Sequence, residues 1–157
     1  MLTVILDTGS SDLYVDASSA SACKNSGASN ACRGGSFSPS DSSSYKVVIP
    51  NGFNTSFGDG STATGDFATD NVGIGDVVLQ DVQFGVATDV ESTVGFAVSL
   101  MGLGYSANEA ADDPYPNMPE ILQQSGAINS RLYSVFLNEL GMSLCVVSGR
   151  AFVCQSD

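Results

Sequence analysis

Residues 4–15, which read VILDTGSSDLYV, decide the fold. An apolar, β-branched run leads into Asp7, a turn-forming cluster follows, and a second apolar run closes the stretch. This pattern predicts two buried strands joined by a turn that begins at Asp7. A charge is unusual there, because ionised side chains are rarely buried without partners. Asp7 is either a turn residue that accepts backbone N–H groups or a reactive carboxylate held by nearby donors. The candidate donors are the Gly9 N–H and the hydroxyls of Thr8 and Ser10.

The composition excludes several classes of function. The 157 residues include 17 acidic and 5 basic side chains and no histidine, so the formal net charge is −12. A nucleic-acid partner is not expected, because phosphate binding needs clustered Lys and Arg. Without histidine there is no Ser-His-Asp or Cys-His nucleophile and no His metal ligand, and no metal or cofactor is predicted. Proton transfer therefore depends on carboxylates, although the composition by itself also fits an ordinary acidic protein.

The distribution of apolar runs and turn residues predicts an all-β protein, a sandwich or a barrel. Turn signals at Asn51-Gly52 and at Gly58–Ser61 predict two hairpins. Residues 17–45 are rich in Ser, Ala, Asn and Gly and predict an irregular loop. The predicted strands cover residues 2–6, 13–15, 45–50, 53–57, 62–67, 71–74, 77–79, 82–86 and 132–137. One clear helix is predicted over Met118–Gln124, with Pro119 in its first turn and Gly126 after its end.

Signals for the membrane and for export are weak. No apolar run approaches the roughly 20 residues of a membrane span, so no membrane partner is expected. Met1 leads directly into the first apolar strand, and no signal peptide is predicted. Asn54-Thr55-Ser56 is an N-glycosylation sequon. Its use would require the secretory route.

Four cysteines form two closely spaced pairs, each with eight residues between the partners. Local pairing would give two small disulfide loops, Cys23–Cys32 and Cys145–Cys154. Four cysteines allow three connectivities, and the sequence does not choose among them. Neither spacing is that of a zinc site.

The order of several motifs resembles the pepsin-like aspartic proteases, family A1. Residues 7–11 (DTGSS) resemble the catalytic Asp-Thr-Gly-Ser element, and residues 57–61 (FGDGS) resemble the tip of the flap hairpin that closes over substrate. Residues 100–102 (LMG) resemble the hydrophobic-hydrophobic-Gly element beside the catalytic turn. Met118–Leu137 resembles the helix and strand that end the first lobe, and Cys23 and Cys32 sit where the family commonly has a disulfide loop. The Ser-rich, acidic character is most similar to secreted fungal members.

The resemblance implies a fold and a set of roles. The fold is an all-β half-barrel lobe with one or two short helices. Asp7 would be a catalytic carboxylate, Thr8 would bond to the opposite lobe, and Ser10 would hydrogen-bond Asp7, with Gly9 supporting the turn. The flap and substrate-binding residues would be Tyr14, Phe57, Gly58, Asp59 and Gly60, and Ile5, Phe67 and Leu103 are further candidates for the cleft wall. The family usually has Tyr where Phe57 stands and Trp where Tyr14 stands, so this flap loses a phenol donor but keeps two aromatic rings.

The chain contains a single Asp-Thr-Gly, whereas the implied chemistry needs two carboxylates. Two-lobed members supply the second from a C-terminal lobe. We expect residues 1–139 to be an N-terminal lobe and residues 140–157 to be an atypical tail that does not resemble the family's continuation. The resemblance also implies a secreted or vacuolar protein that binds peptide or protein substrates and pepstatin-type inhibitors.

Three interpretations of the lone lobe follow. In the first, two copies pair and their Asp7 residues meet across a two-fold axis, as retroviral proteases do. In the second, the lobe is catalytically inactive and acts as a binding or regulatory module. In the third, the second lobe is a separate chain.

Overall fold

The computed structural model describes residues 2–24, 32–93, 95–136, 145–148 and 150–151. These residues form an all-β lobe with two short α-helices, as predicted. The strands are β1 (Ile5–Asp7), β2 (Leu13–Asp16), β3 (Lys46–Ser56), β4 (Thr62–Ile74), β5 (Val77–Glu91), β6 (Leu100–Gly102), β7 (Val135–Phe136), β8 (Cys145–Ser148) and β9 (Arg150–Ala151). The helices are α1 (Ser21–Lys24) and α2 (Met118–Gln124). In the described part of the chain, no helix is long and apolar enough to cross a membrane.

Six strands form one mixed sheet in the order β1-β6-β2-β5-β4-β3, and β7, β8 and β9 form a small second sheet. β6 is parallel to β1 and antiparallel to β2, so it lies between the two strands that flank the Asp7 turn. The register places Gly102 opposite Asp7. The element that resembles the family's hydrophobic-hydrophobic-Gly motif therefore lies directly beside the turn.

Both faces of the sheet bury apolar side chains, because successive residues of a strand point to opposite faces. Leu13 and Val15 pack on one face with Phe84, Val86 and Met118. Tyr14 lies on the other face, in a cluster that contains Phe53, Phe67 and Tyr115. The strand β2 is buried throughout and joins the two cores.

Several strands are longer than predicted. β3 continues through Asn51-Gly52, so the prediction of a hairpin turn there is wrong. The sheet accommodates these residues with a register shift between Ile49 and Phe53 and a left-handed backbone at Asn51 (φ 54°). Pro50 is tolerated because it lies in an edge strand, within the register shift between Ile49 and Phe53. In the same way, β4 and β5 each join two predicted strands into one.

The first strand was predicted to be buried, but Ile5 is 48% exposed because β1 is an edge strand of the sheet. In contrast, α2 has the predicted bounds. Asn117 caps its N-terminus by accepting from the Glu120 N–H at 3.2 Å, and Gly126 follows the helix at φ 76°.

The loop over residues 17–45 contains α1, a short 3₁₀ turn (Pro39–Asp41) and the Cys23–Cys32 disulfide. That predicted pairing is confirmed. Cys154 lies outside the described residues, so its pairing with Cys145 stays a prediction.

Candidate active site

Asp7 ends β1 and is half-buried at the start of the turn. Its Oδ1 accepts the Gly9 N–H at 2.9 Å. Within the described residues, neither the Thr8 nor the Ser10 hydroxyl donates to this carboxylate. The expected set of donors is therefore reduced to the Gly9 N–H, and the other acceptor positions of this half-buried carboxylate have no partner among the described residues. Thr8 is exposed beside it.

Backbone hydrogen bonds from β6 and the residues after it fix the turn. The N–H groups of Gly102, Leu103 and Gly104 donate to the carbonyls of Asp12, Asp7 and Ser10, at 2.8, 2.8 and 2.9 Å. The Ser11 hydroxyl donates to the Tyr105 carbonyl at 2.7 Å. These bonds satisfy the carbonyls of Asp7, Ser10 and Asp12 and join the turn to residues 102–105.

Gly102 is required by close approach of two backbones. A Cβ placed there would lie 2.4 Å from the Ser11 carbonyl carbon and 2.5 Å from Ser11 Cα. Because the contacts are with backbone, no side-chain rotation relieves them. The glycine therefore allows the loop to press against the turn.

The hairpin predicted to be the flap consists of β3, β4 and the turn between them. Phe57 N–H donates to the Ser61 carbonyl, and Gly60 N–H donates to the Phe57 carbonyl, each at 2.9 Å. Gly60 has φ 87°, which suits glycine, and Gly58 is exposed. Asp59 accepts the Ser61 N–H at 2.9 Å and the Ser61 hydroxyl at 3.0 Å. These bonds, the backbone bond first, lower the pKa of Asp59.

Tyr14 and Phe57 pack as aromatic rings, with centroids 6.1 Å apart and planes tilted by 34°. The Tyr14 hydroxyl donates to the Val98 carbonyl at 3.1 Å, so its donor is used inside the lobe. Burial raises the pKa of Tyr14, and the charges of Asp16, Asp59 and Asp7 add to this effect. Asp59 of the flap and Asp7 of the turn thus lie within electrostatic reach of the same ring.

The three additional cleft candidates separate in the structure. Ile5 is exposed next to Asp7. Phe67 is fully buried between Phe53 and Tyr115, with edge-to-face ring contacts at 5.4 and 5.7 Å, so it does not line a surface. Leu103 does not lie with Ile5; it lines a cavity on the core face of the sheet that carries Leu13 and Val15.

That cavity has a volume of about 580 Å³ and lies against the core face that carries Leu13 and Val15. Leu6 lines it, whereas its strand neighbours Ile5 and Asp7 do not. Because side chains alternate along a strand, Asp7 points away from this cavity and toward the flap side of the sheet.

A buried carboxylate network lies behind the turn and was not found by sequence reasoning. Asp12 Oδ1 accepts the Tyr115 hydroxyl at 2.8 Å, and its Oδ2 accepts the Ala110 N–H at 2.8 Å. Glu109 accepts the Tyr115 N–H at 2.8 Å. Burial raises the pKa of Asp12, and it raises that of Glu109 to about 7, with help from the charges of Asp12 and Glu120. The partners are up to 103 residues apart, so no local motif signals them.

Asp16, at the end of β2, is fully buried. Neither of its carboxylate oxygens has a hydrogen-bond partner among the described residues. Burial raises the pKa of this side chain to about 6. The described part of the chain contains no group of three or more His, Cys, Asp or Glu side chains arranged to hold a metal.

Comparison with known proteins identifies relatives of this lobe. The profile of a family described as eukaryotic aspartyl protease matches residues 1–148. The probable aspartic-type endopeptidase opsB of Aspergillus fumigatus is 41% identical over 145 residues, which cover 88% of this chain and 28% of the relative. Candidapepsin-4 of Candida albicans is 38% identical over 148 residues, which cover 87% of this chain and 32% of the relative. The chain therefore spans less than a third of the length of these two curated relatives.

Proposed function

Since this chain belongs to the eukaryotic aspartyl protease family, we propose that it is one catalytic lobe of an aspartic endopeptidase. It hydrolyses peptide bonds at acid pH when a second lobe places another carboxylate opposite Asp7. In the arrangement we propose, the second lobe is another copy of the chain.

The accessible Asp7 carboxylate at the end of an edge strand carries this proposal. Its turn is fixed by backbone bonds from β6 and the residues after it, and the Gly9 N–H is its carboxylate's only donor within the described ranges. Thr8 and Ile5 are exposed on either side of it. A two-fold axis passing near Asp7 would bring the same surface of a second copy against this one, as a closed dimer requires.

The chemistry follows from two carboxylates held close together. Groups about 3 Å apart share one proton, since both cannot ionise easily; the aspartic protease dyad is the standard example of this effect. The ionised member takes a proton from water, and the protonated member gives one to the carbonyl oxygen of the peptide. The pair titrates as a unit, which places the activity at acid pH. In this scheme Phe57, Gly58, Asp59 and Gly60 cover the substrate, and Tyr14 supports Phe57.

Two other arrangements remain outcomes of the test. A separate second lobe could supply the other carboxylate. Alternatively, the lobe is inactive and binds peptides as a regulatory module, because a single carboxylate has no partner with which to share a proton.

A secreted or vacuolar location belongs to the same proposal. One relative, of Candida albicans, is named secreted aspartic protease 4. The Cys23–Cys32 disulfide supports this location, since such bonds persist in oxidising compartments.

The test combines activity with mass. We expect purified protein at about pH 4 to cleave a denatured protein substrate, to be inhibited by pepstatin, and to lose cleavage in Asp7→Asn. Native mass should be twice 16.1 kDa. Asp76→Asn, which alters an exposed carboxylate elsewhere, is the matched control. A monomer that binds peptide without cleaving it would instead support the inactive module, and cleavage only after a second lobe is added would support the two-chain arrangement.

A further inference from the structure

The tip of the flap is fastened to a loop outside the flap hairpin. Thr93 Oγ1 donates to Asp59 Oδ2 at 3.1 Å, and the Thr93 N–H donates to Ser61 Oγ at 3.1 Å. The hydroxyls of Thr93 and Ser61 are 3.2 Å apart. Because Asp59 and Thr93 are 34 residues apart in sequence, these contacts are tertiary and are not part of the turn itself.

The segment that follows Thr93 is anchored to the body of the lobe. Arg33 N–H donates to the Ala97 carbonyl at 3.0 Å, and the Arg33 guanidinium lies 3.8 Å from the centre of the Phe96 ring. Tyr14 donates to the neighbouring Val98 carbonyl. Cys32, which belongs to the disulfide, also pairs with Ala97 in an isolated parallel β-bridge. Thr93 therefore lies between the end of β5 at Glu91 and residues 96–98, which contact the disulfide loop and β2.

The position of the tip matters for the cleft. Phe57 begins the tip and packs on Tyr14. Asp59 lies two residues after Phe57 in the same turn. A side chain that fixes Asp59 therefore also restrains Phe57 and its contact with Tyr14.

We propose that Thr93 is a positioning residue for the flap. Its hydroxyl bond to Asp59 and its N–H bond to Ser61 hold the tip in place. The consequence for substrate binding rests on the proposed protease function. The restraint on the flap does not depend on that function, and it can be measured in a lobe without any activity.

The test compares Thr93→Val, which keeps the branched shape and loses the hydroxyl, with Thr93→Ser, which keeps the hydroxyl. The readout is amide hydrogen exchange of a peptide that covers residues 57–61, with residues 84–87 of β5 as the internal reference. We expect Thr93→Val to exchange about two- to fivefold faster at the tip, the effect of losing one exposed hydrogen bond. Thr93→Ser should stay near the wild type, and residues 84–87 should not change.

In an active preparation, Thr93→Val should raise KM for a peptide substrate by a similar factor and change kcat less, and Thr93→Ser should restore KM. Equal exchange at the tip in both variants would overturn the proposal. Equal acceleration of the tip and of residues 84–87 would also overturn it, since that outcome means general destabilisation. A flap effect without proteolysis would leave the restraint supported and would count against the proposed function alone.

Discussion

The Asp7 turn and the tip of the flap lie near the same Tyr14 ring but are fixed by different means. The turn is held by backbone hydrogen bonds from residues 102–104 and by a close approach that leaves no room at Gly102. Besides its own turn bonds, the tip is held by the side chains of Asp59 and Thr93, which are exposed, and of Ser61, which is half-buried. Backbone bonds in a packed site give one geometry, whereas exposed side-chain bonds break and reform at small cost. The comparison indicates a rigid Asp7 turn and a more loosely held hairpin tip.

The largest difference in unfolding free energy should come from replacing one glycine by alanine in each region. Gly102→Ala should lower the free energy of unfolding by about 3 kcal/mol or more, because its Cβ would meet the Ser11 backbone. Gly58→Ala at the flap tip should change it by less than about 1 kcal/mol, since nothing lies within 4 Å of the added atom. Urea unfolding of both variants measures the contrast. Similar losses in the two variants would remove the distinction between a packed turn and an open tip.

Acid should act in opposite directions on the buried Asp16 carboxylate and on the flap tip. The pKa of Asp16 is raised by burial to about 6, so the folded protein binds a proton there that the unfolded chain releases. Stability from this group is fully present below the unfolded pKa and is lost as pH rises through about 6. The loss should amount to about 3 kcal/mol at most. The pKa of Asp59 is lowered by hydrogen bonds, so its bonds at the tip are lost as pH falls through its folded pKa.

Asp16→Asn tests this difference through the pH dependence of unfolding. We expect the variant to lose less stability than the wild type between about pH 4 and about pH 7. Asp76→Asn, at an exposed position, should keep the wild-type slope. An unchanged slope in Asp16→Asn would show that the buried carboxylate does not set the pH response.

A smaller effect should follow from cutting the hydrogen bond behind the turn. Tyr115→Phe removes the hydroxyl that donates to the buried Asp12, and it should cost about 1 to 3 kcal/mol of unfolding free energy. Tyr105→Phe is the control, because Tyr105 is 82% exposed and should change stability by less than about 0.5 kcal/mol. Equal results for the two tyrosines would mean that the Asp12 network does not brace the lobe.

The smallest effect should come from the flap. Phe57→Tyr adds a hydroxyl to the ring that packs on Tyr14, and Phe57 is only partly buried. We expect global stability to change by less than about 1 kcal/mol, while hydrogen exchange at the tip slows if the new hydroxyl finds a partner. Faster exchange at the tip would indicate that the added hydroxyl disturbs the ring contact.

Part of this fold could be predicted from short-range patterns. The bounds of α2 follow from Asn117, Pro119 and Gly126, which act within a few residues of the helix ends. The turn between β3 and β4 likewise follows from the Gly-Asp-Gly sequence. The prediction of a turn at Asn51-Gly52 was wrong because the pairing of β3 with β4 outweighs the local turn preference. The buried position expected for Ile5 was wrong because strand order decides which strand lies at the edge.

The sequence by itself determined the family, through the order of its motifs. It also determined the all-β class, the Asp7 turn, the turn between β3 and β4 and the position of the first disulfide loop, because each of these is carried by neighbouring residues. The tertiary structure alone decided which carboxylates are buried and which are open. Asp7, Asp12 and Asp16 lie within ten residues of one another, and strand order and face place one at an accessible edge and two in the interior. Tyr115 and Thr93 acquire their partners in the same way. Their hydrogen bonds join residues 103 and 34 positions apart, and such distances close only when the sheet forms.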